Sequence, residues 1–325
     1  MELICPAGTP AALRAAVDAG ADAVYCGFRD ETNARNFPGL NFSREELTAG
    51  IAYAHRHGVK VLIAINTFAR AGAVDVWKRA VDAAAEAGAD ALIIADIGVL
   101  DYAVLHHPGQ RLHLSVQAAA ANPDAIEFYV EEFGVRRVVL PRVLSVPEIA
   151  AITKEISCET EVFVFGGLCV MEEGRCSLSS YATGESPNMN GVCSPASQVH
   201  YREQDGHLIS RLGAFTVNKF SVGEPAGYPT LCKGRFQTEH GAGYLFEDPV
   251  SLDATTMLPE LQKAGVTALK IEGRQRGRAY IERVVCSFRR TLAGLKEDIA
   301  APANDLVALT EGQSTTTGAY RKSWR

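Results

Sequence analysis

The sequence lacks the features that mark exported and membrane-spanning proteins. Its first eight residues, MELICPAG, enter an apolar stretch at once, without a basic segment ahead of an apolar core, so no secretory signal peptide is predicted. No apolar run approaches the roughly 18–20 residues that cross a bilayer. We therefore expect a cytoplasmic protein without a membrane span. Its eight cysteines are then expected to stay reduced, because disulfides are rare in that compartment.

An excess of basic residues is also missing. The formal net charge is −6 and the pI is about 5.8. Proteins that grip nucleic acids usually carry a basic surface, so this balance argues against a nucleic acid as a partner.

Four familiar catalytic and nucleotide-binding motifs are absent as well. The sequence contains no HExxH zinc-peptidase helix, no GxSxG nucleophile turn, no Walker A loop and no GxGxxG that opens a βαβ unit. Any chemistry must therefore rest on other residues.

What the sequence does contain is a recurring pattern, in which a helix ends at a glycine and an apolar strand follows within a few residues. Glycine is favoured just after a helix because it adopts the left-handed conformation without strain. Short apolar runs without alternation are typical of strands that are buried on both faces. Eight strands are predicted, at about 2–5, 23–27, 60–65, 91–95, 111–117, 137–141, 160–165 and 268–272.

Eight strands with helices between them favour a (β/α)8 barrel of the TIM type. A flavodoxin-like domain with an appendage is the alternative. Strands 7 and 8 are separated by far more residues than any earlier pair, so a long insertion is predicted there, on the face where barrel loops build active sites. We predict the first seven barrel strands in 1–166, the insertion in 167–248, the completion of the barrel in 249–298 and a polar C-terminal tail in 299–325.

The insertion carries four of the eight cysteines, which are Cys169, Cys176, Cys193 and Cys232. Four thiolates suit either Zn²⁺ or an iron–sulfur cluster. The intervening stretches of six, 16 and 38 residues are wider than the spacing of paired cysteines in most structural zinc sites. Three hypotheses stay open from spacing alone: an iron–sulfur cluster, a zinc ion, or thiols that are merely buried or reactive.

Polar side chains are predicted at the ends of several strands. Alternation along the fifth strand places His113, Ser115 and Gln117 on one face. Polar groups at strand ends suit a small anionic substrate. A guanidinium such as that of Arg142 binds a carboxylate in a fork, and an amide such as that of Asn66 fixes its orientation. The alternative is a buried polar network. We have no assignment of catalytic residues, and the candidates are Arg142, Gln117, Glu272, Asn66 and His113.

A basic segment accompanies the last predicted helix. Arg274, Arg276, Arg278 and Arg283 are predicted to form a solvated or partner-facing surface.

Several motifs together resemble a known family. The stretch Glu161–Cys169 reads EVFVFGGLC, and it is followed by GRC ending at Cys176, by NGVC ending at Cys193 and by KIEGR at Lys270–Arg274. These residues resemble the collagenase-like peptidase family, whose members have a TIM-type barrel, and the resemblance covers nearly the whole chain. Ala196 stands where many relatives carry a further cysteine, and Met189 interrupts their Asn-Arg-Gly. Both departures resemble the branch of the family that works in oxygen-independent ubiquinone biosynthesis.

The resemblance implies a [4Fe–4S] cluster on Cys169, Cys176, Cys193 and Cys232. It also implies a heterodimer with a UbiV-like sister protein and the anaerobic hydroxylation of a prenylated aromatic quinone precursor. A small carboxylate, prephenate, is the oxygen donor that the family relation suggests. Two other functions belong to the same resemblance: a tRNA-modifying hydroxylase, and the metallopeptidase of the family's name.

Overall fold

The computed structural model describes residues 1–296, 306–310 and 314–321. Eight parallel strands form its centre: β1 (Glu2–Pro6), β2 (Ala23–Cys26), β3 (Lys60–Ile65), β4 (Ala91–Ile94), β5 (Leu112–Leu114), β6 (Arg137–Val139), β7 (Glu159–Gly167) and β14 (Ala268–Ile271). The last of these, β14, pairs in parallel with both β1 and β7, so the sheet closes on itself. Closure confirms the predicted (β/α)8 barrel and rules out the open flavodoxin-like sheet.

Helices surround the barrel. They are α1 (Pro10–Asp18), α2 (Arg44–Arg56), α3 (Asp75–Glu86), α4 (Ile97–His106), α5 (Pro123–Phe133), α6 (Val146–Glu155), α9 (Leu258–Lys263) and α10 (Arg278–Lys296). Several of them start at capping side chains. Thr9 accepts a hydrogen bond from the Ala12 amide at 3.1 Å, and Ser43 and Glu46 form a capping box.

Two strands end two or more residues before their predicted ends. β5 ends at Leu114 because Ser115 caps a short 3-10 turn, accepting a hydrogen bond from the Gln117 amide at 3.2 Å. β6 ends at Val139, two residues before Pro141, whose missing N–H cannot extend a sheet. The prediction that β5 and β6 continue to residues 117 and 141 is therefore wrong, and the alternation along the fifth strand stops at Ser115.

The barrel lumen carries charge as well as apolar side chains. A small apolar cluster that includes Ile4, Tyr25 and Leu62 faces inward, and it alternates along the strands with the larger core between sheet and helices. Beside it, the Lys270 ammonium lies 2.5 Å from the Glu161 carboxylate. This buried pair supports the expectation of a polar interior.

The long insertion between β7 and β14 has its own small elements. These are α7 (Leu178–Thr183), α8 (Pro187–Asn190), β8 (Val199–Gln204), β9 (His207–Leu212), β10 (Phe215–Phe220), β11 (Arg235–Thr238), β12 (Gly241–Tyr244) and, beside β7, β13 (Ser251–Asp253). β8 and β9 form an antiparallel hairpin. Its turn is Asp205-Gly206, and both residues have positive φ, as two-residue hairpin turns require.

Part of the predicted C-terminal tail packs against the barrel. A short strand, β15 (Thr315–Thr316), pairs with β13. The buried Tyr320 hydroxyl donates a hydrogen bond to the Phe163 carbonyl of β7. Residues 297–305, 311–313 and 322–325 lie outside the described part of the chain.

Across the described residues, no helix combines the length and the apolar character needed to cross a bilayer.

Candidate active site at the C-terminal face of the barrel

A pocket lies at the carboxyl ends of the barrel strands, where sites in such barrels are built. Four cationic side chains and one carboxylate line it, together with amide, hydroxyl and apolar groups. The charged residues are Arg35, Arg142, Lys270, Glu272 and Arg274. This charge pattern suits a small anion.

Glu272 follows β14 and is the carboxylate that lines the pocket. Its carboxylate accepts a hydrogen bond from Arg35 Nε at 3.2 Å and another from the Gly167 amide at 3.0 Å. Burial alone would raise the pKa of Glu272, but the guanidinium groups of Arg35 and Arg142 outweigh it and lower that pKa to about 2. Glu272 is therefore ionised at neutral pH. It serves as an acceptor and a fixed charge, which does not suit a general acid.

Arg35 adopts a backbone conformation that is unusual for a residue with a side chain. Its φ is +133°, in a region that L-residues populate sparsely. The loop after β2 nevertheless holds the side chain in the pocket, paired with Glu272. The pair connects this loop to the segment that follows β14.

Arg142, one of the catalytic candidates, is buried beside the cysteine loop. Its Nε donates to Glu173 Oε1 at 2.6 Å, and its Nη1 donates to the Gly167 carbonyl. The guanidinium also lies over the Phe163 ring, 4.2 Å from the centroid. Burial opposes the charge, but Glu173 more than offsets this effect and raises the pKa of Arg142. Sequence reasoning missed Glu173, because nothing distinguishes it from its neighbour Glu172 except this contact.

Arg274 corrects the prediction of a four-arginine surface. It is buried and lines the pocket, donating to Asn33 Oδ1 at 3.0 Å and to the Ala34 carbonyl. Burial lowers the pKa of Arg274 to about 10, so it stays protonated at neutral pH. Arg274 follows β14 directly, whereas the other three arginines lie on exposed positions at the start of α10 and before it.

Asn66, Ser115 and Gln117 line the pocket. Asn66 Oδ1 accepts a hydrogen bond from the Ala34 amide at 2.8 Å, and its Nδ2 donates to Ser115 Oγ at 3.3 Å. These bonds fix the amide orientation beneath the loop after β2.

His113 lies apart from these three residues and does not line the pocket. Its Nε2 accepts a hydrogen bond from Arg111 at 3.0 Å. Burial and the nearby charges of Arg137 and Arg111 lower the pKa of His113 well below its ordinary value. The imidazole is therefore neutral.

Two further lining residues were not among the candidates. Tyr25 donates its hydroxyl hydrogen to the Ile271 carbonyl at 2.9 Å. The Lys270 ammonium lies over the Tyr25 ring, 4.0 Å from the centroid, and burial lowers the pKa of Lys270 despite Glu161. Inward alternation along β2 and β14 is the pattern that predicts both positions.

The four cysteines of the insertion lie in loops above this pocket. Burial is the main cause that raises the pKa of Cys169 to about 12, and Glu173, Cys193 and Cys232 raise it further. Burial likewise raises the pKa of Cys232 to about 12, with contributions from Cys193 and Cys176. Cys193 also raises the pKa of Cys176, after burial. Cys193 is thus an electrostatic neighbour of the other three thiols.

The fit of a metal centre to these residues can be judged from the donor set. Within residues 1–296, 306–310 and 314–321, no three His, Cys, Asp or Glu side chains are placed to hold a single metal ion. The four loops nevertheless bring the other three thiols into electrostatic range of Cys193, and four thiolates are the ligand set of iron–sulfur clusters. Buried thiols in such a group stay protonated unless a cation supplies compensating charge. By its chemistry, the donor set therefore fits an iron–sulfur cluster.

The insertion sits directly on the loops that line the pocket. A Cβ added to Gly174 would lie 1.8 Å from the Gln117 carbonyl oxygen, and one added to Gly191 would lie 2.6 Å from Ala34 Cα. Both glycines have positive φ and stand two residues before Cys176 and Cys193. Glycine is required at both positions, because only a residue without Cβ allows this approach.

The sequence places the chain among known proteins. Residues 8–318 match peptidase family U32. The chain is 34% identical over 313 residues to the tRNA hydroxylation protein P of Escherichia coli, covering 90% of this chain and 67% of that protein. It is 30% identical over 291 residues to the tRNA hydroxylation protein P1 of Bacillus subtilis, covering 90% and 63%.

A third relative is the 23S rRNA 5-hydroxycytidine C2501 synthase of Escherichia coli, which is 28% identical over 317 residues. That match covers 97% of this chain and 42% of the synthase. The chain thus spans about two thirds or less of these relatives' lengths. With a family match over nearly its whole length, the chain belongs to peptidase family U32.

Proposed function

We propose that this chain is a hydroxylase that acts on an aromatic ring without molecular oxygen and takes the oxygen atom from a small carboxylate donor. The observation that carries the proposal is the charge of the pocket. Among the residues that the structure describes, its four cations contact three carboxylates, which are Glu161, Glu173 and Glu272.

Arg274 supplies the free charge. It donates hydrogen bonds to the neutral oxygens of Asn33 and Ala34. A buried guanidinium that lacks a carboxylate partner among the described residues is costly. An anionic substrate that reaches it would relieve that cost, and a donor carboxylate such as that of prephenate has the required fork geometry.

The cofactor in this proposal is a [4Fe–4S] cluster held by Cys169, Cys176, Cys193 and Cys232. When bound, such a cluster supplies one-electron transfer. The residues of the chain would do the rest: Arg274 and Arg142 would bind the donor, Asn66 and Gln117 would orient it, and the insertion would shield the pocket from water.

The comparisons favour a nucleobase as the ring. The relatives named above are called tRNA and rRNA hydroxylation proteins, and the proposal extends that substrate class to this chain. The first candidate is therefore the hydroxylation of an RNA base.

The second candidate is the ring of a prenylated quinone precursor, with a UbiV-like sister protein as partner. Ala196 and Met189 favour it, since both resemble the ubiquinone branch represented by UbiU. The net charge of −6 favours it too, because RNA binding usually relies on basic surfaces.

One experiment separates the candidates. Nucleosides and quinones from a strain that lacks the gene would be compared by mass spectrometry with those of the complemented strain, both grown without oxygen. Loss of a hydroxylated nucleoside supports the first candidate, and loss of ubiquinone supports the second. If neither changes and the purified protein cleaves peptides, the metallopeptidase alternative replaces both.

A further inference from the structure

Gly167 is held from both sides by charged side chains of the pocket. Its amide donates to Glu272 Oε2 at 3.0 Å, and its carbonyl accepts from Arg142 Nη1. Gly167 stands at the end of β7, two residues before Cys169. A Cβ at this position would lie 3.0 Å from Glu272 Oε2, so glycine permits the close approach. We call Arg35, Glu272, Gly167, Arg142 and Glu173 the Gly167 clamp.

Both arms of the clamp reach a further cysteine loop. Arg142 is bonded at 2.6 Å to Glu173, which lies between Cys169 and Cys176. Arg35, bonded to Glu272 at 3.2 Å, has its backbone nitrogen 3.1 Å from the Cβ position of Gly191, two residues before Cys193. The Arg142 guanidinium and the Arg35 backbone thus approach the peptide segments that carry three of the four cysteines.

We propose that anion binding in the pocket is coupled to the redox state of the metal centre on the cysteines, and that the Gly167 clamp carries the coupling. This inference rests on the proposed function, since it assumes the cluster. It goes further by assigning Arg142 and Glu173 a positioning role between two sites.

The physical reason is that both sites share the same positive charges. Arg35 is an electrostatic neighbour of Cys193 and Arg142 of Cys169, while both guanidinium groups interact with Glu272. An electron added to the cluster and a carboxylate added to the pocket both place negative charge beside these guanidinium groups. Like charges repel strongly away from bulk water, so each event disfavours the other. Linkage makes the effect reciprocal.

The test is an anaerobic redox titration with dithionite, with and without saturating prephenate. We expect prephenate to bind the reduced protein about tenfold more weakly than the oxidised protein. For a one-electron couple that ratio corresponds to a midpoint potential lower by about 59 mV when prephenate is bound. Phenylpyruvate, which has one carboxylate fewer, should give a smaller shift.

Glu173→Gln tests the clamp itself. Glu173 does not line the pocket, so the oxidised variant should still bind prephenate. Because Arg142 loses its charged partner on the cysteine loop, the prephenate-induced shift should fall below half of the wild-type value. The matched control is Glu172→Gln, which removes the same charge from the adjacent residue, whose partner is the exposed Arg175 at 3.5 Å. The control should keep the full shift.

If Glu173→Gln does not fold, Arg142→Lys replaces it, because lysine keeps the charge but cannot contact Glu173 and Gly167 together. A cluster-bearing protein that binds prephenate without a change in potential overturns the coupling and leaves the proposed function intact. An equal shift in Glu173→Gln and wild type also overturns it. Protein that holds no iron and sulfide, or that does not bind prephenate, contradicts both proposals.

Discussion

Arg35 and Glu272 form a partly buried ion pair of 3.2 Å across 237 positions of the chain. The pair joins the loop after β2 to the end of β14. It thereby connects an early and a late part of the chain at the pocket. It forms although the Arg35 backbone is strained, which indicates that the site requires this guanidinium in this position.

Because of this pair, the free energy of unfolding depends on pH in the acid range. The pKa of Glu272 falls from its ordinary 4.5 to about 2 in the folded protein, so its stabilisation is fully present above pH 4.5 and is lost as the pH falls toward 2. Each pKa unit corresponds to about 1.4 kcal/mol, so the loss is of order 3 kcal/mol. Urea unfolding of Glu272→Gln should show a shallower fall in the unfolding free energy between pH 4.5 and 2.5. Equal slopes in variant and wild type would contradict this role.

Gly191→Ala tests the contact between the insertion and the loop after β2. The new Cβ would meet Ala34 Cα at 2.6 Å and the Asn33 carbonyl oxygen at 2.8 Å. Clash and left-handed strain together should lower the unfolding free energy by roughly 2–4 kcal/mol. Gly184→Ala is the matched control, since its φ of +73° is nearly the same as the +75° of Gly191 but no atom lies within 4 Å. It should cost about 1 kcal/mol. Similar losses in both variants would refute the contact.

Arg274→Gln tests the free cation of the pocket. Because Arg274 is buried and donates hydrogen bonds to the neutral oxygens of Asn33 and Ala34, its loss should weaken prephenate binding about tenfold or more, the effect of roughly 1.4 kcal/mol. Arg276→Gln, two residues further on and exposed, should bind prephenate like wild type. Calorimetry under anaerobic conditions measures both, and unchanged affinity in Arg274→Gln would refute the donor site.

Cys193→Ser tests the metal centre. Cys193 is the electrostatic neighbour of the other three thiols, so its removal should reduce iron and sulfide in anaerobically purified protein to below a quarter of wild type. Cys286→Ser removes another exposed cysteine on α10 and should leave both unchanged. Stoichiometric zinc in a colourless wild-type protein would favour the zinc hypothesis.

The barrel could be predicted from sequence because each unit carries its own local pattern. Thr9 with Pro10 and the capping box at Ser43 mark helix starts, and short apolar runs mark buried strands. The end of β5 could not be predicted, because the Ser115 hydroxyl competes for the Gln117 amide and breaks the alternation that the apolar pattern suggests.

The site was predicted only in part, for a similar reason. Strand-end positions such as Asn66, Gln117, Arg142 and Glu272 follow from topology, since the carboxyl ends of parallel strands meet at one face. Glu173 could not be found, because its role depends on a contact with Arg142 across 31 positions. Arg274 was predicted to lie on a basic surface, and only its burial places it in the pocket instead.

The central claim is that cysteine-bound metal and the pocket together support hydroxylation. The most direct measurement is mass spectrometry of nucleosides and quinones from an oxygen-free culture of the gene-deletion strain complemented with Cys176→Ser, with Cys286→Ser as the control. The account predicts that a hydroxylated nucleoside, or ubiquinone, is lost with Cys176→Ser and restored with Cys286→Ser. Full restoration of both products by Cys176→Ser would contradict it.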